Sequence, residues 1–316
     1  MNKKLLAIAV GAAFTASPMM ASAAVTVYGH AQVEVATVDD GTTSNTVMED
    51  NARGRIGIKA SEKLGNGMTA IAKFEFRTDT SDNRRTADGG PLTARESFVG
   101  LKGGFGTVQL GNLKSGYKYT GGVKYDPFVA TLIQARGANG MTGGAFGHNG
   151  FLANSIGYMT PKMGGFSAWA TYSPDEQGIA SGADGDYSFG LKFAQKAFEV
   201  FVAGVGDDSA DYDSTKVGGQ YKFGMFKLSA QYEMASAGAV DSDVYFVGGQ
   251  AKFGNNVLVA QFGNTDTDGV GDRDYYTIGV IHNLSKKTRL TAGYRSFESS
   301  ATQDTETFAV GLRMKF

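Results

Sequence analysis

The charged side chains between residues 53 and 136 are where this sequence concentrates chemistry. Arg53, Arg55, Lys59, Lys73, Arg77 and Arg95 stand against Glu75, and the stretch 113–152 adds Lys114, Lys118, Lys124 and Arg136 against Asp126. Cations at this density, in a narrow passage with low-dielectric walls, focus potential and concentrate anions. The competing reading puts many of them at rims, on lipopolysaccharide phosphates or neighbouring carboxylates. Catalytic chemistry is poorly supplied. His30, His148 and His282 are isolated, and His282 with Ser285 is a local coincidence near a turn, with no third group to orient a nucleophile and base. The absence of cysteine excludes disulfides, thiolate catalysis and thiolate metal sites. No His/Asp/Glu spacing suggests a transition-metal site. Asp266, Asp268, Asp272 and Asp274 read as a solvated loop that could hold a divalent cation weakly. Gly137, Gly140, Gly143, Gly144 and Gly147 let the long stretch turn in tight space but match no phosphate cradle. The sequence thus predicts no enzyme, no cofactor and no metal.

Strands must position these charges. From Val25 to the end, alternating segments of about ten residues repeat about sixteen times, an even number suited to a closed membrane barrel. They are 25–36, 52–60, 67–78, 94–103, 106–112, 153–160, 165–172, 186–194, 197–206, 214–224, 225–234, 243–253, 256–264, 273–282, 287–297 and 305–316. The last is the clearest: Phe308, Val310, Leu312, Met314 and Phe316 share one face, and Thr307, Ala309, Gly311, Arg313 and Lys315 the other. Segment 67–78 sets Met68, Phe74 and Phe76 against Lys73, Glu75 and Arg77, and 52–60 sets Ile56 and Ile58 against Arg53, Arg55 and Lys59. Segment 94–103 alternates less cleanly, and we place Arg95 inward. Short connections such as Gly65-Asn66-Gly67, Gly224-Met225 and Gly254-Asn255-Asn256 alternate with longer polar ones at 37–51, 79–93, 113–152, 173–185, 207–213, 235–242, 265–272 and 298–304. Tight turns on one rim and long loops on the other are the barrel pattern. Aromatics near segment ends, among them Tyr221, Phe223, Phe226, Phe253, Tyr275, Tyr276 and Phe316, suit interfacial girdles.

The fold class predicted is therefore all-β: a transmembrane antiparallel barrel with its apolar face in lipid. At this strand number the lumen is too wide for side chains to fill, so water occupies it. The chain has 316 residues, a net charge of −1, 45 glycines and only 5 prolines, which excludes collagen and gives no case for nucleic acid. Asn2-Lys3-Lys4, the apolar stretch from Leu5 to Phe14 and Ala21-Ser22-Ala23 read as a secretory signal peptide over 1–23, with the barrel over 24–316.

Val25-Thr26-Val27-Tyr28-Gly29, Arg55-Ile56-Gly57-Ile58-Lys59, Glu62-Lys63-Leu64-Gly65-Asn66-Gly67 and Ser97-Phe98-Val99-Gly100-Leu101-Lys102-Gly103-Gly104-Phe105-Gly106 carry a resemblance. It continues through Asn154-Ser155-Ile156-Gly157-Tyr158, Thr160-Pro161, His282-Asn283-Leu284-Ser285-Lys286-Lys287-Thr288 and the terminal Phe316. These stretches resemble the general diffusion porins of Gram-negative outer membranes, of the beta- and gamma-proteobacterial type. The resemblance implies a sixteen-stranded homotrimeric barrel in the cell outer membrane, exported through the periplasm. It also implies that the long third loop folds into the lumen, and that Phe316 is the signal read by the outer-membrane assembly machinery. Arg55 and Arg95 match arginine positions of the family's constriction. Where some anion-selective relatives carry a further arginine, this chain has Phe151. The function expected is passive diffusion of ions and small hydrophilic solutes with a mild anion preference. The alternatives are a solute-specific channel for phosphate or an organic anion and, less favoured, a surface adhesin barrel.

Overall fold

The computed structural model describes residues 23–51, 53–81, 92–136, 145, 151–174, 185–207, 211–299 and 304–316. The predicted leader other than Ala23, the glycines of 137–147 and His148 lie outside the described residues. The strands are β1 (Ala24–Asp39), β2 (Ser44–Glu49), β3 (Gly54–Gly65), β4 (Met68–Thr78), β5 (Leu92–Gly103), β6 (Gly106–Lys114), β7 (Phe151–Met159), β8 (Phe166–Tyr172) and β9 (Tyr187–Ala194). They continue as β10 (Phe198–Asp207), β11 (Tyr212–Phe223), β12 (Phe226–Ala237), β13 (Val240–Phe253), β14 (Asn256–Thr267), β15 (Gly271–Asn283), β16 (Thr288–Ser299) and β17 (Thr305–Lys315). Each pairs antiparallel with the next along the chain, except that β2 and β3 both pair with β1. β17 returns to pair with β1 from His30↔Lys315 to Asp39↔Glu306, so the sheet closes.

The 17 strands occupy sixteen staves, because β2 and β3 share one. β3 pairs with β1 over residues 24–30 and β2 over residues 34–39. Residues 37–51, expected as a loop, thus contain a strand. Its polar Ser44, Asn45 and Thr46 hid it, but they pair above the lipid belt, where a strand needs no apolar face. Connections 207–213, 235–242 and 265–272 are also shorter than expected for the same reason. β12 and β13, for example, meet at Ala237↔Val240, and β14 and β15 at Thr267↔Gly271. At the opposite rim the chain turns in two residues between Phe223 and Phe226 and between Phe253 and Asn256. Gly224 and Gly254 take φ of 55° and 56° there, the left-handed start that such tight hairpins require.

The distribution of side chains is inside-out. On β17, Phe308, Val310, Leu312 and Met314 are 46–55% exposed, whereas Thr307 and Ala309 are 1% and Arg313 9% exposed. Leu191, Val200, Val217, Leu228, Val247 and Leu258 continue the outward apolar belt on neighbouring strands. Of the expected girdle aromatics, Tyr221, Phe223, Phe226, Phe253, Tyr276 and Phe316 face outward. Tyr275 does not: it is buried inside, because it bonds to the long loop. One inner sector is apolar. Phe201, Val205, Val244 and Phe246 form a buried cluster with Tyr117 and Tyr125 of that loop.

An arginine on the lipid face near the bilayer centre is costly. Val247→Arg, which faces outward in mid-strand β13, should lower the unfolding free energy in lipid vesicles by about 2–4 kcal/mol in urea titrations. Gln250→Arg, on the opposite face of the same strand, should cost less than about 1 kcal/mol.

Candidate functional site

A β-bulge builds the charged wall. Phe74 opposes Ser97 and Phe76 opposes Ala94, which leaves Glu75 facing both Arg95 and Glu96. A bulge turns two successive side chains toward one face, so the uneven alternation of 94–103 has a local cause. Arg95 is inward as expected, and Glu96, its neighbour in the chain, is inward too.

Glu75 is the hub. Arg95 Nε lies 2.9 Å from Oε1, Lys73 Nζ 3.2 Å from Oε2 and Arg55 Nη1 3.8 Å from Oε1. The Tyr28 hydroxyl donates to Oε2 at 2.7 Å. Glu96 accepts from Lys73 and, at 2.9 Å, from Lys114. Arg77 donates to the Thr93 hydroxyl at 3.4 Å. Arg53 stands at the break between β2 and β3, where its N–H donates to the Asp50 carbonyl. Asp50 in turn accepts from the Thr80 N–H, which ties the break to the strand beside it. The Arg95 guanidinium lies 5.0 Å over the Phe151 ring, which gives it an aromatic support. Lys59 lies farther toward the short turns, 4.3 Å over the Tyr28 ring.

The segment after β6 supplies the rest. Ser115 caps the short helix α1 (Gly116–Thr120) by accepting from the Lys118 N–H, and a 3-10 turn follows over Gly122–Lys124. The residues beyond are tied to inward side chains around much of the wall. The Tyr117 N–H donates to Ser188 of β9, and its hydroxyl shares a hydrogen bond with Ser214 of β11. Tyr125 packs edge-on to Phe201 of β10 at 5.6 Å. Tyr275 of β15 donates to the Ile133 carbonyl at 3.0 Å, and the Leu132 N–H donates to Glu34 of β1 at 2.8 Å. Arg313 of β17 and Gln32 of β1 both donate to the Ala130 carbonyl. At the far end the Ala145 N–H reaches Glu233 of β12 at 2.5 Å. Burial of Tyr117, Tyr125, Phe128 and Ile133 contributes about 1.5–3 kcal/mol each.

The long segment's charges divide into two groups. Arg136, Lys118 and the Tyr119 ring join the arginines: Arg95 acts on all three, and Arg53 on Lys118. Burial, then repulsion from Arg136, Arg53 and Arg95, lowers Lys118 to about 5. Burial, then Lys192, lowers Lys124 to about 8, and Lys124 stands on the other side, near Lys114, Lys192 and Glu199. Asp126, expected to line the passage, is 1% exposed and serves as a clamp. Its carboxylate accepts from the Phe128 and Ala135 N–H groups and from Gln261 of β14. Burial pushes it up to about 6, against those donors. His30 is buried on the inner wall, and among the described residues no three His, Asp or Glu side chains gather as metal ligands.

Sequence reasoning missed Glu96, Gln32, Glu34 and Glu233. The broken alternation of 94–103 was the available signal for Glu96. The others alternate normally, and only the partner brought to them by the long segment sets them apart.

A family model described as a Gram-negative porin matches residues 7–302. Outer membrane porin protein 32 of Delftia acidovorans is 30% identical, over 92% of this chain and 88% of its own length. Major outer membrane protein P.IB of Neisseria gonorrhoeae is 31% identical, over 65% of this chain and 57% of its own. Among solved structures, an anion-selective porin from Comamonas acidovorans superposes with a TM-score of 0.78 at 24% identity, covering 93% of this chain and all of that one. Salmonella typhi OmpF, in complex with daunomycin, gives 0.71 at 18% identity, covering 92% and 97%. The barrel, its inside-out faces and these matches together identify the chain as a member of the Gram-negative porin family, whose place is the outer membrane.

Proposed function

We propose that the protein is a passive diffusion channel for ions and small hydrophilic solutes, mildly anion-preferring, formed by residues 24–316 after removal of a signal peptide over 1–23. Residues 115–136, which follow β6 and end on Arg136, lie across the lumen and, with Arg53, Arg55, Arg77 and Arg95, form its narrowest zone. The observation that carries the reading is the charge balance around Glu75: Arg55, Arg95, Lys73 and Lys114 pair with two glutamates, Glu75 and Glu96, while Arg53, Arg77 and Arg136 stand beside them with neither carboxylate as partner. Each carboxylate is already committed to several cations, so positive potential is left over in the passage. The similarity to an anion-selective porin favours the same sign. Three copies assemble through their apolar outer faces, with lipopolysaccharide around them, and the assembly machinery reads Phe316 on export. A solute-specific anion channel is the second reading; saturable, solute-blocked current would favour it over ohmic conductance.

Reconstituted in planar bilayers, the protein should open in steps grouped in threes, with a reversal potential of anionic sign under a potassium chloride gradient. Cationic sign would overturn the preference. Arg95→Ala should lower the anion-to-cation permeability ratio about two- to fourfold, the effect of one unit charge a few ångströms from a hydrated path.

Lys124 is protonated below its depressed value of about 8 and neutral above it. The anion preference should therefore decline between pH 7 and pH 9. Lys124→Arg, which keeps its charge throughout that range, should flatten the decline, and reversal potentials at the two pH values would measure both.

Phe316 exchanges backbone hydrogen bonds with Gly29, and its ring lies where a Gly29 side chain would stand. Deleting Phe316 should reduce the assembled protein recovered from outer membranes far more than it alters the conductance of the channels that do assemble. Equal recovery would count against its role as signal.

A further inference from the structure

Two adjoining cavities lie on the short-turn side of the arginine cluster, about 600 Å³ and 440 Å³ in volume. Ser61 and Ile71, a cross-strand pair near the Gly65-Asn66-Gly67 turn, border the first, and Gly165 and Ala194, beside the turns 163–165 and 195–197, border the second. Short turns mark the periplasmic rim of such barrels, so both cavities open toward the periplasm. Tyr119, Lys124 and Trp169 line both cavities.

The charge there differs in kind from that of the arginine cluster. Six lysines, Lys59, Lys73, Lys114, Lys124, Lys162 and Lys192, face the two cavities against two glutamates, Glu96 and Glu199. Lys73 and Lys114 are spent on Glu96, and Lys192 lies 3.6 Å from Glu199. Lys59, Lys124 and Lys162 form no ion pair among the described residues. Between these lysines stands an aromatic wall: the Tyr119 and Trp169 rings lie 6.4 Å apart at 33°, and Trp169 is the one tryptophan of the chain. Flat apolar surface ringed by unpaired ammonium groups suits a flat anion, whose ring packs on the indole while its carboxylates meet the lysines.

We propose that these cavities form a second station in the channel, on the periplasmic side of the constriction, which binds aromatic carboxylates in preference to aliphatic ones of the same charge. The station rests on the reading of the protein as an anion-preferring channel and adds a solute class to it. The combined volume exceeds that of a single aromatic dicarboxylate, so the solute keeps part of its hydration. Binding of this kind is weak enough for release, as conduction requires.

Trp169 makes the test direct. The wild-type protein in detergent, excited at the indole and titrated with isophthalate, should show a saturable fluorescence change with a midpoint in the millimolar range; adipate should produce none. Lys124→Gln should raise the isophthalate midpoint about fivefold. In planar bilayers isophthalate should reduce the current at concentrations where adipate does not, and Trp169→Leu should bring the two solutes to equal effect. A fluorescence change that fails to saturate, or that adipate matches, would overturn the station, as would isophthalate block unaltered in Trp169→Leu. A cationic reversal potential in potassium chloride alone would instead overturn the anion-preferring reading beneath it, a result visible without any aromatic solute.

Discussion

Lipid offers no partner to a backbone N–H or carbonyl, and this constraint organises the molecule. An open sheet edge within the hydrocarbon would leave a row of unsatisfied groups, each worth several kcal/mol, so the sheet must close. Pairing of β17 with β1 closes it. Closure with sixteen staves fixes a lumen wider than wall side chains can fill. The long segment after β6 meets that width, and its capped helix, its aromatic residues and its carbonyls find partners on the inner faces of β1, β9, β10, β11, β14, β15 and β17.

Concentrating cations on an inner wall has its own cost. Arginines a few ångströms apart repel, and removing them from bulk water weakens their hydration. The bulge at Glu75 answers both demands by presenting Glu75 and Glu96 side by side to Arg95, Arg55, Lys73 and Lys114. The carboxylates fix the positions of the cations without matching their number. The same division appears in the long segment, where Asp126 is consumed by N–H donors and leaves Arg136 facing the arginines.

Much of this was legible in the sequence. Period-two alternation located all sixteen staves, and the terminal strand even showed its faces, because lipid selects apolar residues at every second position. The strand at 44–49 was not legible, since pairing above the lipid belt places no demand on hydropathy. Arg55 and Arg77 could be set inward by parity, but Arg95 and Glu96 could not both be, since two successive residues share a face only at a bulge. Asp126 shows the limit most clearly. A carboxylate in a basic segment reads as a lumen charge, and only the fold reveals that Phe128, Ala135 and Gln261 have claimed it. Trp169 was silent for the same reason: its strand alternates normally, and its setting comes from Tyr119, 50 positions away in the chain and 6.4 Å away in space.

Gln32 and Arg313 belong to the first and last strands, and they meet only across the line where the barrel closes. Arg313 Nε donates to the Gln32 side chain at 2.6 Å, and both residues grip the Ala130 carbonyl. That carbonyl is 98 residues from one and 183 from the other, so each contact closes a long stretch of chain. The grip needs both strands in register, so it is complete only when the first and last strands have paired. While the first and last strands are still apart, the nascent barrel holds that segment by fewer bonds. Once they join, the same two side chains that mark the seam hold the Ala130 carbonyl against the inner wall, so one backbone atom of the long segment is tied to both ends of the sheet at once.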